Sequence, residues 1–140
     1  MLEEVYIKDI MTRRVTTLKP EDRVLDHLKI FDEHNINHVP VITTEFEVAG
    51  IVSRKDFENY VNITRILHAG EEEPVKVKDV MTAPAFTFSE NIHIGAAAQA
   101  MIDNQIHAIV ITDSRNQLAG IITSTDLLEQ MAGSKRYKNF

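Results

Sequence analysis

Lys8-Asp9-Ile10-Met11-Thr12 returns as Lys78-Asp79-Val80-Met81-Thr82, 70 positions later. Ala49-Gly50-Ile51-Val52-Ser53 returns as Ala119-Gly120-Ile121-Ile122-Thr123, again 70 positions on. Two separate blocks at one offset keep everything between them in register without a gap. Over the 50 pairs from Lys8 onward, the identical ones start at Lys8, Asp9, Met11, Thr12, Thr17, Ile36, Ala49, Gly50, Ile51 and Asp56, and most other agreements are conservative, such as Val24 with Ile94. Self-similarity at a fixed period marks copies of one supersecondary unit. The chain thus divides into a first repeat over 1–69 (core about 5–60), a linker at 70–74, and a second repeat over 75–140 (core about 75–130) that ends in a basic tail at 133–140. Gly70-Glu71-Glu72-Glu73-Pro74 reads as the linker because Gly and Pro punctuate and three adjacent like charges repel.

Each copy carries the same elements. A strand is expected at Val15–Leu18 and at Ala85–Phe88. A helix follows, with apolar faces Val24, Leu25, Leu28, Phe31 and Ile94, Ala97, Ala98, Met101 at the helical period. Pro20 suits the first turn of the first helix and Ser89 the N-cap of the second. An apolar strand (Val39–Ile42; Ile109–Thr112), a turn (Glu45-Phe46-Glu47; Asn116-Gln117) and another strand (Val48–Val52; Leu118–Ile122) make a hairpin. A last helix begins near Asp56 or Asp126. The order is β-α-β-β-α, twice: an α+β fold with pseudo-two-fold symmetry. Each copy has a sheet face it is too small to cover, so two small sheets packed face to face, with helices outside, would bury both.

Composition narrows the chemistry. The 140 residues include 15 Lys+Arg against 21 Asp+Glu, a net charge of −6, and each half carries −3. Neither half has the basic excess needed to track a phosphate backbone, so nucleic acid is not expected as the main ligand. The absence of Cys excludes disulfides, thiol nucleophiles and thiolate metal sites. No apolar run approaches the ~18 residues of a membrane span. Met1-Leu2-Glu3-Glu4 is acidic where a secretory signal is basic, and the expected location is cytoplasmic. The histidines are scattered and lack ligand spacing, so no metal site is expected. Gly-x-Ser-x-Gly, His-Glu-x-x-His and a phosphate-cradling glycine loop are all missing, and catalysis is not expected.

The chemistry that remains sits at two strand-to-helix junctions, Ser53-Arg54-Lys55-Asp56 and Thr123-Ser124-Thr125-Asp126. A helix N-terminus offers unpaired N–H groups and the positive end of its dipole, which accept phosphate. Ser53 or Thr123 adds a hydroxyl, and Asp56 or Asp126 can accept from ribose hydroxyls. Arg54 and Lys55 would add charge against a phosphate, whereas Ser124 and Thr125 leave the second junction neutral. The same Ser/Thr-x-x-Asp spacing is also close to a capping box, which stabilises an empty protein equally well. The two roles are compatible.

Together, the Lys-Asp-Ile/Val-Met-Thr motif, the stretch Ile36-Asn37-His38-Val39-Pro40-Val41, and the doubled Gly-hydrophobic-hydrophobic-Ser/Thr-x-x-Asp block resemble a pair of CBS domains, the cystathionine β-synthase repeat that forms Bateman modules. The resemblance covers about residues 5–130. It implies a regulatory module with no required cofactor, binding AMP, ADP, ATP or S-adenosylmethionine in clefts between the repeats, and commonly a homodimer. It further implies that adenine is walled by Thr16-Thr17 and Thr87-Phe88, with Asn37-His38-Val39 and His107-Ala108-Ile109; of the first-strand pairs Thr17 and Thr87 are candidates, together with Pro40 and the two later stretches. With Ser53, Arg54, Lys55 and Asp56, and with Thr123, Ser124 and Asp126, these complete the candidate nucleotide-binding residues. Ala108 stands where copy one has His38, and Val110 where it has Pro40, so the sites are expected to be unequal, the first favouring phosphates. The alternative is a structural dimerisation module with vacant clefts. The regulated partner is not legible.

Overall fold

The computed structural model describes residues 4–67 and 74–133, with side chains omitted for 64–67. Apart from Pro74 and Gly133, the expected linker and basic tail lie outside the described residues. The elements, in order, are α1 (Ile7–Ile10), a 3-10 turn (Val24–His27), α2 (Ile30–His34), β1 (His38–Ile42), β2 (Val48–Ser53), α3 (Arg54–Leu67), α4 (Val77–Val80), β3 (Thr87–Ser89), α5 (Ile94–Asn104), β4 (Ala108–Thr112), β5 (Leu118–Thr123) and α6 (Ser124–Ala132). The fold is mixed α+β with two small sheets. β1 and β2 form an antiparallel pair, while β3-β4-β5 form a three-stranded sheet in which β3 runs parallel to β4.

The compact units do not follow the sequence repeats. One is continuous, Thr16–Ala85, and the other is discontinuous, joining residues 1–15 to 86–140. The lead-in segment of each repeat therefore packs with the body of the other copy. In the continuous unit Val24 N donates to Val75 O (3.0 Å), Val77 N to Asp22 O (2.8 Å) and Lys78 N to Pro20 O (3.0 Å). The discontinuous unit makes the same three bonds at the same offset: Ile94 N to Val5 O (3.0 Å), Ile7 N to Ile92 O (2.8 Å) and Lys8 N to Glu90 O (3.0 Å). Lys76 and Lys78 both reach Glu21 in the continuous unit, at 2.6 and 3.0 Å. These contacts, the bond from Lys76 first, hold the Glu21 carboxyl below its ordinary range. Its counterpart Asn91, an uncharged acceptor, takes one hydrogen bond from Lys8 at 3.3 Å.

Each unit has its own core, at mostly matching positions. Leu18, Val24, Phe31, Val39, Val41, Val52, Phe57 and Val77 cluster in one; Ile7, Met11, Ile94, Ala97, Met101, Ile109, Ile111 and Ile122 cluster in the other. Val77 and Ile7 are the lead-in contributions, and both are fully buried.

The glycines of the repeated block show why the two motifs travel together. Thr82 exchanges both backbone bonds with Ile51 (3.0 and 2.9 Å), and Thr12 does the same with Ile121 (both 3.0 Å). The lead-in thus lies against β2 or β5. A Cβ on Gly50 would fall 2.7 Å from both the Thr82 carbonyl oxygen and Met81 Sδ; on Gly120 it would fall 2.7 Å from the Thr12 carbonyl and 2.9 Å from Met11 Sδ. Only a residue without a side chain admits a backbone this close.

The first copy departs from its expected form. Its first strand shrinks to a single parallel bridge, Leu18 to Val41, whereas β3 of the second copy forms three pairs from Thr87 to Ser89. The cause is Pro40. Val110 N donates to Phe86 O at 3.2 Å, and Pro40, at the equivalent place, has no N–H to give Thr16. The first helix is broken into the 3-10 turn and α2, which leaves Leu25 and Leu28 49% and 41% exposed instead of on a buried face. Asp26, His27 and Lys29 stand where copy two has Ala96, Ala97 and Gln99, and the alanine-rich run sustains one helix. Pro20 precedes the first helical turn by several residues, since helix begins only at Val24. Ser89 caps no helix: its Oγ accepts from Asn91 N in a local turn, and α5 begins after His93. The hairpin turns fall where expected, with Phe46 and Asn116 at left-handed φ of 65° and 61°.

Gly50→Ala should lower unfolding free energy by about 2–3 kcal/mol, since the contact it disturbs is with backbone. Gly120→Ala should behave alike. Gly95 in α5 has no atom within 4 Å of a built Cβ, so Gly95→Ala should stabilise by about 0.5–1 kcal/mol. Denaturant titration of the three variants checks the order.

Candidate functional site

The sixteen candidate residues separate cleanly by unit. Thr17, Asn37, His38, Val39, Pro40, Ser53, Arg54, Lys55 and Asp56 all lie in the continuous unit; Thr87, His107, Ala108, Ile109, Thr123, Ser124 and Asp126 lie in the discontinuous one. Sheet register brings most of each set together. His38 pairs with Ser53 and Pro40 with Ile51, while Ala108 pairs with Thr123 and Ile109 with Ile122. One main-chain bond then ties each helix start to the residue before the hairpin: Arg54 N to Asn37 O, and Ser124 N to His107 O, both 2.9 Å. Thr87 pairs with Val110, and Thr17 precedes Leu18, whose N donates to Pro40 O at 3.1 Å. Val39 and Ile109 are fully buried, so their side chains belong to the cores and only their main chain can meet a ligand.

Both junctions form the capping boxes read from the sequence. Ser53 N donates to Asp56 Oδ2 (2.8 Å) and Asp56 N to Ser53 Oγ (3.2 Å). Thr123 N donates to Asp126 Oδ2 (2.8 Å) and Asp126 N to Thr123 Oγ1 (3.3 Å), with the Thr123 hydroxyl also within 3.1 Å of that Oδ2. Each half-buried aspartate accepts through Oδ2 in its own cap. The junctions are thus pre-set: two hydrogen-bond acceptors at fixed places beside a helix N-terminus.

The cationic residues of the first junction part company. Lys55 is exposed. Arg54 turns back toward the end of α2, donating Nε to Asn37 Oδ1 (2.9 Å) and Nη2 to Ile36 O (3.1 Å), with Nη1 paired to Asp32. Its guanidinium lies 5.7 Å from the Phe31 ring centroid. Arg54, Asp32, Phe31, Phe57 and Glu58 line a hollow of about 440 Å³ between α2 and α3. The corresponding hollow of about 470 Å³ in the other unit is apolar, with Met101, Ile102, Leu127, Leu128 and Met131 beside His107 and Ser124. Sequence reasoning missed Asp32. A signal existed within the repeat, because Asp32 and Arg54 are replaced together by Ile102 and Ser124, as contacting residues are. Among the described residues, no group of three or more His, Asp or Glu is placed to hold a metal ion. No helix among them is long and apolar enough to cross a membrane.

Comparison with known proteins bears on the family and the fold. The CBS domain family model matches residues 7–62 and 77–133. Inosine-5'-monophosphate dehydrogenase of Methanocaldococcus jannaschii is 30% identical over 128 residues, which cover 91% of this chain and 23% of that protein. The chain therefore spans less than a quarter of that curated relative. Among solved structures, CBSX2 of Arabidopsis thaliana in complex with AMP superposes with a TM-score of 0.79 at 23% identity, covering 93% of this chain and 98% of that one. The CBS domain pair of protein MJ0100, in complex with 5'-methylthioadenosine and S-adenosyl-L-methionine, superposes with a TM-score of 0.79 at 22% identity, covering 91% and 99%.

The caps can be tested without a ligand. Ser53→Ala should cost about 1 kcal/mol, and Thr123→Val, which removes a hydroxyl used twice, between about 1 and 2 kcal/mol. Urea unfolding of the unliganded chain measures both.

Proposed function

Because the chain belongs to the CBS domain family, we propose that it is a non-catalytic regulatory module whose ligand is an adenosyl compound: AMP, ADP, ATP or S-adenosylmethionine. The observation that carries this reading is the pre-set junction, present twice, with a hydroxyl and a carboxylate fixed at a helix N-terminus beside Asn37–Pro40 or His107–Ile109. The carboxylate meets ribose hydroxyls, the N-terminal N–H groups suit phosphate, and buried main chain beside the hairpin suits an adenine edge. The ligands held by CBSX2 and MJ0100 support the class. No cofactor is required, the setting is cytoplasmic, and the output is a change in association with a regulated partner. The two sites are unequal. Lys55 brings an exposed cation and His38 an imidazole to the first, where Arg54 is already paired with Asp32, and Thr125, Ala108 and Ser124 leave the second without charge at these places.

The closed capping boxes also favour a second reading, a structural dimerisation module that never fills its sites. A thermal-shift panel separates the two. On the regulatory reading, a ligand at 100 times its Kd stabilises by about 2.7 kcal/mol; no response at millimolar concentration leaves the structural one. Calorimetry should show Asp56→Ala weakening binding more than Asp126→Ala, and the reverse order would assign the principal site to the neutral junction.

Association is proposed to run through the discontinuous unit, forming a homodimer. Ile102, Leu128 and Met131 on α5 and α6 are 69%, 63% and 68% exposed, a cluster of apolar surface that water disfavours. Leu128→Asp should shift the sedimentation profile from dimer to monomer while leaving unfolding of the monomer nearly unchanged.

A further inference from the structure

Arg54 spends its side chain on one short stretch of its own unit. Nε goes to the Asn37 side chain, Nη2 to the Ile36 carbonyl, Nη1 to Asp32, and Cζ lies over the Phe31 ring, 5.7 Å from its centroid. Those partners bracket Asn35, the left-handed C-cap of α2 at φ 52°, after which the chain turns into β1. The other unit makes the same turn through Gln105 at φ 53°, with the same main-chain bond from Ser124 N to His107 O, and with no counterpart of the guanidinium clamp. There Ser124, Ile102 and His107 replace Arg54, Asp32 and Asn37. The clamp is therefore an addition to a turn that already forms without it, so its purpose lies beyond making the turn.

The stretch it holds leads into His38, Val39 and Pro40. Resting on the adenosyl-ligand reading above, we propose that Arg54 is a positioning residue for the site of the continuous unit. It fixes the Asn35–His38 turn in the ligand-ready form through Asn37 and Ile36, and it does not meet the ligand's phosphates. The planar fork matters more than the charge, because three donors at fixed angles reach three acceptors on different residues, which an ammonium cannot do. Lys55, next in sequence and exposed, is left as the cation for phosphate. In the other unit the turn is held by main chain alone, so the inequality of the two sites comes from ordering as well as from charge.

Titration of the full chain with adenosine, AMP and ATP tests this, followed by the amide resonances of Ser53 and Asp56, which report on the continuous unit. Hydrogen exchange over 36–39 is measured alongside. Arg54→Met should weaken all three ligands by a common factor of about five to ten, as when a binding-competent turn is populated only a fifth to a tenth of the time. Arg54→Lys should lose nearly as much, and exchange over 36–39 should accelerate in both variants but not over 106–109. A loss that grows from adenosine to ATP, with Arg54→Lys close to wild type, would assign Arg54 to the phosphates and overturn the proposal. Unchanged affinities in both variants would reduce it to a packing residue. A wild-type chain that binds none of the three, nor ADP or S-adenosylmethionine, removes the ligand reading itself, and the positioning role with it.

Discussion

Everything in this fold depends on a backbone approaching another backbone where a side chain would not fit. Met81-Thr82 against Gly50, and Met11-Thr12 against Gly120, are the same contact made twice, each closed by two main-chain hydrogen bonds. It accounts for both most strongly repeated motifs at once, because one supplies the approaching strand and the other the surface without a Cβ. It also fixes what β2 and β5 do next. Each strand, pinned along one side by its lead-in segment and along the other by its hairpin partner, runs directly into a capped helix. The aspartates Asp56 and Asp126 are thereby delivered to equivalent places by equivalent constraints.

On that common scaffold a few of the many differences between the two units carry the visible consequences. Pro40 for Val110 removes one donor and dissolves a strand; the alanines of α5 for Asp26, His27 and Lys29 keep a helix whole. Arg54 with Asp32, against Ser124 with Ile102, turns an apolar hollow into a charged one. The internal duplication is in effect a control: whatever is shared serves the fold or both sites alike, and whatever differs is free to serve one site or one surface.

Much of this was readable from the residues. The offset of 70 located nearly every element, because a period kept without gaps leaves no freedom in the alignment of the copies. The capping boxes at Ser53 and Thr123 were legible because their chemistry is local, three residues apart. What was not legible is long-range choice. Val5, Ile7 and Met11 could satisfy the hairpin of either copy as far as hydrophobicity is concerned, and nothing in periodicity says that each lead-in crosses to the other. Broken elements escaped for a different reason. The apolar spacing Val24, Leu25, Leu28, Phe31 fits a helix, while the low helix propensity of Asp26 and His27, weighed against it, decided the outcome. The Arg54 clamp escaped because its partners are 17 to 22 residues away and tied by side chains.

The discontinuity of one unit has an entropic corollary. Residues 16–85, the continuous unit, are an insertion between the two pieces of the other. While that insertion is unfolded, the discontinuous unit can assemble only by closing a floppy loop of about 70 residues, at a cost on the order of 4 kcal/mol. Once the insertion folds, its two ends are held at one fixed separation, and most of that loop-closure cost disappears. The dependence runs one way, since the continuous unit closes no such loop. Anything that stabilises the continuous unit thus lends cooperativity to its neighbour through the chain itself, with no need of a contact between them.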